Sequence, residues 1–469
     1  MDYQVIIIGA GPGGYVAAIR AAQYGLKVAV IEEDKVGGTC LNRGCVPTKA
    51  LLHTSNLLAE ANEHFADLGI KAEPASLDWE RLHERKREIV EKNRTGVEGL
   101  LKANGVDLLT GHGKVLESGK VELTSAEGEV QELSAESIIL AAGSAPNLPG
   151  APMFHLPGVI TSDDILEGDT PQYKSLAIIG GGVIGAEFAD FYASIGTEVT
   201  VIELMPRLLP LLDKELGSNL NRAFKKKGIK VYTGTSASNI EETDQGLKVT
   251  LEAKGKEEQI EIDAVLVAVG RHPQMDNLLA EGLDLEMNGR FVKVNDKFET
   301  SISGVYAIGD LIGGYQLAHE ASAEGEALAA LLAGEKPHTR LDLVPSCVYT
   351  SPEISSIGLT EEKAKEEGIA VKSAKYLMAG NSKSVIEQVD MGFIKFVVAE
   401  ESEEILGVSM ICGRATDLIS EFAMAIANKL TVADLLKGMR PHPTYCEGIT
   451  EALDAIHDQS IHTVPRKKR

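Results

Sequence analysis

The chain has 469 residues, of which 44% are hydrophobic and 25% charged, and its formal net charge is −23. That composition suits a large soluble globular protein of about three domains and excludes bulk electrostatic binding to nucleic acid or anionic membranes. No stretch reaches the ~18 apolar residues of a membrane span, and five cysteines, odd in number and sparse, do not make a secreted disulfide scaffold.

The opening MDYQVIIIGAGPGG has no basic n-region and too short an apolar run for a signal peptide, so the chain reads as cytoplasmic or from an equivalent reducing compartment. A strand over Val5–Ile8 leads into GAGPGG, where Gly9, Gly11 and Gly14 fit G-x-G-x-x-G. An alanine-rich helix pattern, YVAAIRAAQYG, and a second strand, KVAVIE, follow. Such glycines permit a tight turn and close backbone approach, so that a pyrophosphate rests on the helix N-terminus. Glu32 ends the second strand 23 positions after Gly9, where a carboxylate accepts from ribose hydroxyls.

Next comes GGTCLNRGCVPTK (37–49), with Cys40 and Cys45 five positions apart. A structural bridge, half of a metal site and a redox couple all suit two such thiols. A zinc site wants a second ligand pair at C-x₂₋₄-C spacing, which is absent elsewhere in the chain. A bridge is out of keeping with a reducing compartment and closes only a small loop. The residues by themselves leave the three readings standing.

The grammar of the first unit recurs in SLAIIGGGVIGAEFADFYASIGTEVTVIE, with Gly180, Gly182 and Gly185. Glu203 follows Gly180 by the same 23 positions as Glu32 follows Gly9. Two copies with matching strand, helix, strand and terminal Glu predict two dinucleotide sites, hence an electron relay between two cofactors. Glu203 favours NAD, because a carboxylate there accepts from a free 2′-hydroxyl and repels a 2′-phosphate. Arg207 lies nearby, with Pro206 turning it away from the strand end. Beyond Pro345 the pattern becomes β-rich, with GFIKFVVA and LGVSMICG interleaved with helices such as DLISEFAMAIANKL. HPTYCE places Glu447 five residues after His442, and a carboxylate on one ring nitrogen orients a histidine to act as a base from the other. The acidic stretches EEK and EESEE read as solvated faces, Cys347, Cys412 and Cys446 as inert thiols, and the closing PRKKR as a mobile tail.

With GAGPGG, GGTCLNRGCVPTKALL, IILAAGSAP, GGGVIGAE, AVGRHP, VYAIGD, LAHEASAEG and HPTYCE in place, essentially the whole chain resembles the class I pyridine nucleotide-disulfide oxidoreductases. These are the two-dinucleotide flavoprotein disulfide reductases, and the likeness is to their dihydrolipoyl dehydrogenase branch. The resemblance implies an α/β fold with two Rossmann-like domains, for FAD and NAD, plus a C-terminal α+β dimerisation domain. It partitions the chain into 1–147 (FAD, with the redox disulfide), 148–270 (NAD), 271–343 (return to the FAD domain) and 344–469 (dimerisation). It assigns Cys40 as the thiol that exchanges with substrate and Cys45 as the thiol beside the flavin. Lys49 would lie near the flavin N5, paired with Glu187. Asp310 would bind the ribityl chain, Ala318 would touch the isoalloxazine, Gly113 would lie near the adenine and Gly143 in the returning turn. Ala237 and Gly270 complete the cofactor-binding set, and no metal is implied. His442 with Glu447 would act as the base across a homodimer. The implied reaction oxidises a dihydrolipoyl group with NAD⁺, on the lipoyl domain of an acyltransferase or on a glycine cleavage carrier protein. A contact with a basic subunit-binding domain is also implied at family level.

The chain departs from the common family form at Arg43, at Arg440 and Pro441, and at Cys446. Mercuric reductases and large thioredoxin reductases carry a C-terminal cysteine pair, glutathione reductases arginines in place of Glu203, and transhydrogenases lack the thiol at Cys40. A retired scaffold paralogue would have no use for Cys40, Cys45, His442 and Glu447 together.

Overall fold

The computed structural model describes residues 1–168, 170–389 and 391–464, so PRKKR lies outside the described residues. The run VIII is buried on both faces as the strand Tyr3–Ile8, and Val28–Glu32 and Val130–Leu140 pair parallel on either side of it. A strand that reads apolar throughout, without alternation, is what a parallel sheet covered on both faces requires. Asp107–Thr110 extends the sheet beyond Val28–Glu32, and Val305–Ala307 joins it parallel to Val130–Leu140. The motif VYAIGD is strand only over its first three residues; Gly309–Leu311 form a 3₁₀ turn that carries Asp310. An antiparallel meander of His112–Glu117, Lys120–Thr124 and the long Val130–Leu140 strand closes this half.

The second half repeats the plan. Five parallel strands run in the order Lys230–Thr233, Glu198–Glu203, Ser175–Ile179, Ala264–Val267 and Val159–Ile160, beside a three-stranded antiparallel sheet spanning 236–262. The chain leaves the first half and returns to it through two short strands, Ser144–Pro146 and Arg271–Pro273, paired antiparallel. A third unit holds a five-stranded antiparallel sheet whose central strands are Phe393–Ala399 and Ile405–Cys412. The helix expected over DLISEFAMAIANKL is interrupted at the buried Ile419, giving Ala415–Leu418 and Ser420–Ala427. Among the described residues no helix is long and apolar enough to cross a membrane.

Helix Pro12–Gln23 lies against Ala318–Leu332, and a Cβ on Gly325 would sit 2.5 Å from the Gly13 carbonyl, so only glycine permits this approach. The third unit is fastened to the second by charge. The Lys395 ammonium, 3% exposed, meets Asp213 at 3.0 Å, Glu215 at 3.0 Å and Glu361. Glu362 pairs with Arg207 at 3.2 Å. EEK stays partly solvated, with side chains 35–59% exposed, but Glu361 also helps offset the desolvation of the buried lysine and Glu362 clasps the second unit. In EESEE, Glu403 pairs with His457 at 2.9 Å.

Lys395→Met would strand the buried Asp213 carboxylate. It should destabilise the protein by about 3–5 kcal/mol, read as a lower urea midpoint. The double replacement with Asp213→Leu should recover part of that loss.

Candidate active site

Each glycine-rich turn is closed by the same carboxylate clamp. Glu32 accepts from the Ala10 amide at 2.7 Å and from the Asp34 amide at 3.0 Å. Glu203 accepts from Gly181 at 2.6 Å and from Met205 at 2.6 Å, the same offsets one repeat later. Burial pushes the Glu32 carboxyl up against the pull of its two amides. Gly9 and Gly180 have φ of +102° and +111°, and a Cβ on them would lie 2.4 and 2.3 Å from the carbonyls of Ala141 and Ala268. Gly14 and Gly185 pack equally hard, their virtual Cβ atoms 1.9 Å from the carbonyls of Gly9 and Gly180. The middle glycines differ: a Cβ on Gly182 would meet nothing within 4 Å, and one on Gly11 only Gly38 at 3.9 Å. Open space over the middle glycine, at a helix N-terminus, fits a pyrophosphate.

Arg207, the cation nearest the second clamp in sequence, turns away to Glu362 and to the Pro210 carbonyl at 3.2 Å. Glu203 is thus left to its two amides, with Arg207 drawn off to Glu362, which fits NAD. Gly143 and Gly270 flank the two crossover strands, where Asn147 donates to Gly270 and Gln274 to Gly143. Gly113 packs the meander on the parallel sheet, its virtual Cβ 3.1 Å from Ile31. Ala237 packs in the apolar cluster of Ile202, next to the strand that ends in Glu203.

A Cβ on Gly38 would come within 2.7 Å of the Gly11 Cα, so the redox segment starts directly against the first phosphate turn. Cys40 lies in the helix Gly38–Arg43 and Cys45 heads the helix Cys45–Glu63, with Gly44 between them. A Cβ on Gly44 would meet the Thr39 carbonyl at 2.9 Å, and its absence lets the two turns close on each other. Cys40 is half-buried, Cys45 is exposed, and both are free thiols. The hydrogen bond from Cys40, with help from the Lys49 charge, holds the Cys45 sulfur down to about 7. The same bond pushes Cys40 up, so of the two sulfurs Cys45 is the more readily ionised.

Lys49 Nζ lies 2.7 Å from Glu187 Oε2 and 4.5 Å from the centre of the Tyr349 ring, while Glu187 Oε1 accepts from the Tyr349 amide at 3.0 Å. Tyr349 is a member of this group that sequence reasoning missed; its segment carries no motif. Ser144 donates to Asp310, and Arg271 Nε donates to the Ser144 hydroxyl at 2.8 Å, so Arg271 of AVGRHP steadies Asp310 from behind. Ala318 opens the helix Ala318–Leu332, and further along it Glu324 accepts from the Gly309 amide at 2.6 Å. Burial pushes Glu324 from 4.5 up to about 7. Arg271 lies inside AVGRHP and Glu324 inside LAHEASAEG, but only their contacts single them out.

His442 Nδ1 lies 2.8 Å from Glu447 Oε1, and the Thr444 amide donates to Glu447 Oε2 at 2.8 Å. Burial opposes ionisation of Glu447, but these two donors hold its carboxyl below the usual range. The His442 side chain is 69% exposed. Arg440 ties the segment down through Glu421 at 2.7 Å and the carbonyls of Leu435 and Gly438. Arg43 bridges Asp34 at 2.5 Å and Glu167 at 3.0 Å. Burial raises the thiols of Cys347, to about 11, and of Cys412. Among the described residues no group of three or more His, Cys, Asp or Glu is placed to hold a metal.

Residues 3–325 match the family model for pyridine nucleotide-disulphide oxidoreductases, and residues 344–453 match the model for their dimerisation domain. The dihydrolipoyl dehydrogenase of Geobacillus stearothermophilus is 37% identical over 99% of this chain and 98% of its own. One from Bacillus subtilis strain 168 is 39% identical over 98% and 99%. Among solved structures, the HOCl-induced flavoprotein disulfide reductase RclA of Escherichia coli superposes with a TM-score of 0.85 at 26% identity, covering 96% of this chain and 99% of its own.

In the reduced protein, the ultraviolet absorbance of the Cys45 thiolate should titrate with a midpoint near 7. Lys49→Met removes the cation and leaves Glu187 uncompensated, so the midpoint should rise by about 1 unit or more. Glu324 is an acid whose folded value lies above its unfolded value, so stability is lost as pH rises from 4.5 to about 7. Glu324→Gln keeps the acceptor for Gly309 and should raise the thermal midpoint at pH 8, a gain of about 3 kcal/mol that shrinks toward zero as the pH falls to 5.

Proposed function

The chain belongs to the pyridine nucleotide-disulphide oxidoreductase family, and we propose that within it the enzyme oxidises protein-bound dihydrolipoyl groups to lipoyl with NAD⁺. The observation that carries this reading is the placement of the Cys40 and Cys45 thiols where two short-linked helices meet against the first glycine-rich turn, with Lys49 one turn beyond Cys45. FAD, when bound, supplies a two-electron acceptor between the dithiol and NAD⁺. Gly9, Gly11, Gly14, Glu32, Gly113, Gly143, Asp310 and Ala318 would hold FAD, with Lys49 and Glu187 beside it. Gly180, Gly182, Gly185, Glu203, Ala237 and Gly270 would hold NAD. The domain partition 1–147, 148–270, 271–343 and 344–469 belongs to the same proposal, and the separate sheets of the three units support it.

The substrate half-reaction begins from the Cys40–Cys45 disulfide. The partner subunit's His442, oriented by Glu447, takes the proton of one dihydrolipoyl thiol at Nε2. The thiolate attacks Cys40 Sγ, the bond to Cys45 breaks, and Cys45 leaves as a thiolate stabilised by Lys49. The second substrate thiol then displaces Cys40 from the mixed disulfide, closing the lipoyl ring. Cys40 receives the first proton from His442, and His442 takes the second. The outcome is a Cys40 thiol hydrogen-bonded to a Cys45 thiolate. Delivery of the base from a second copy is supported by the exposed His442 ring, which Glu447 holds out from the third unit. The dimerisation domain supports a homodimer. The partner is a lipoyl domain of an acyltransferase or a glycine cleavage carrier, and the compartment is the cytoplasm.

His442→Gln should lower dihydrolipoamide oxidation by about 10²–10⁴-fold with flavin content unchanged; an undiminished rate would sink the assignment. In the unmodified enzyme, dihydrolipoamide with NAD⁺ should turn over, and glutathione disulfide with NADPH should not.

A further inference from the structure

The cation nearest the second nucleotide turn is held away from it by a carboxylate of another unit. After Glu203 the chain makes a short loop and returns to the glycine-rich turn it left. The amides of Met205 and Gly181 each donate to the Glu203 carboxylate at 2.6 Å, and the Leu209 amide donates to the Gly181 carbonyl at 2.9 Å. Arg207 is the midpoint of that loop, two residues from Met205 and two from Leu209. Two residues of chain span at most ~7 Å, so Arg207 cannot leave the rim of the Glu203 clamp. Leu204, Met205 and Pro206 are exposed, and the rim is open to solvent. The guanidinium nevertheless turns outward. Its Nη1 donates to Glu362 Oε1 at 3.2 Å and its Nη2 to the Pro210 carbonyl at 3.2 Å. Lys214 Nζ lies 3.7 Å from the same Glu362 oxygen.

We infer that Glu362 is a specificity-determining residue for the nicotinamide nucleotide: by holding Arg207 off the rim of the Glu203 clamp, it denies a 2′-phosphate the cation that would offset its charge. This rests on the second turn being the NAD site. A 2′-phosphate brings negative charge next to Glu203 and is accepted where an arginine stands close by. The loop carries such an arginine four positions after the glutamate, so residue type on the loop does not by itself decide between the two nucleotides. Competition for the guanidinium decides. Glu362 offers a carboxylate that is already in place, and both side chains of the pair are only about one-third exposed, at 33% and 35%. Such a pair is screened less than one on open surface. Glu362 lies 155 residues beyond Arg207, in the helix Glu361–Glu366 of the third unit. A residue outside the nucleotide-binding unit therefore sets which nucleotide that unit takes.

The test is calorimetric titration of the flavin-loaded enzyme with 5′-AMP and with 2′,5′-ADP, the adenosine ends of NAD and NADP. In Glu362→Gln the preference for 5′-AMP over 2′,5′-ADP should fall by about tenfold, the yield of one hydrogen bond to a charged group. Glu362→Ser is a second release variant with the same expected shift, and 5′-AMP affinity should be unchanged in both. Adding Arg207→Met to either should restore the original ratio, and Arg207→Met alone should leave it unchanged. If the release variants leave the ratio unmoved, the inference is overturned. It is overturned equally if the gain survives Arg207→Met, which would assign it to Lys214 or to net charge. A loss of 2′,5′-ADP affinity in Arg207→Met alone also overturns it, because Arg207 would then already face the nucleotide. A native enzyme that binds neither ligand would overturn the NAD assignment of the second turn instead, so the two failures are distinguishable.

Discussion

The Lys49–Glu187 ion pair is the constraint on which the rest of the site depends. Glu187 is buried, and its two oxygens are divided between Lys49 on the cysteine helix and the Tyr349 amide of the third unit. Helix Val183–Ser194 belongs to the second nucleotide unit, so one carboxylate touches all three parts of the chain. One turn on, the fully buried Asp190 repeats the arrangement with Lys227 at 2.6 Å and the Ser351 amide at 3.2 Å. Burying two carboxylates on one helix is costly unless every oxygen is satisfied. Meeting that demand fixes the mutual placement of the units. The same ammonium then lies where it lowers the proton affinity of Cys45, so fold stability and thiolate chemistry share a group.

The two dinucleotide units use one clamp twice, but the surroundings give them different duties. After Glu32 the chain runs at once into Gly37–Gly38, which press the cysteine helix against Gly11. After Glu203 it runs through Pro206 and Arg207 toward the third unit, where charge pairs with Glu362 and Lys395 take over. One turn thus becomes a seat for a redox pair and the other a junction between units. The difference lies in the residues C-terminal to each glutamate and not in the glycines.

Residues that depart from the common family form find ordinary explanations in contacts. Arg43 clasps Asp34 and Glu167, fastening the redox helix to the segment Ser162–Glu167. Arg440, its side chain 8% exposed, staples the turn before His442 to the helix bearing Glu421. Pro441 accepts from the Thr444 hydroxyl at 2.7 Å, and Cys446 packs against the apolar cluster beneath the dyad. Nothing in these contacts removes a group from the thiol pair or the dyad.

By itself the sequence determined the two nucleotide units, because glycine spacing, an apolar parallel strand and a terminal glutamate are local requirements that leave local signatures. It likewise marked the His442–Glu447 pair, whose members are five residues apart. The family resemblance, and not the spacing, separated the duties of Cys40 and Cys45. What only the tertiary structure decided are the contacts between distant segments. Glu361 of EEK, half-exposed, also holds a buried lysine from the strand Phe393–Ala399. Tyr349 and Arg271 gained their places through partners far away in the chain. Burial and charge pairing across units depend on where the chain returns, and a one-dimensional pattern does not carry that information.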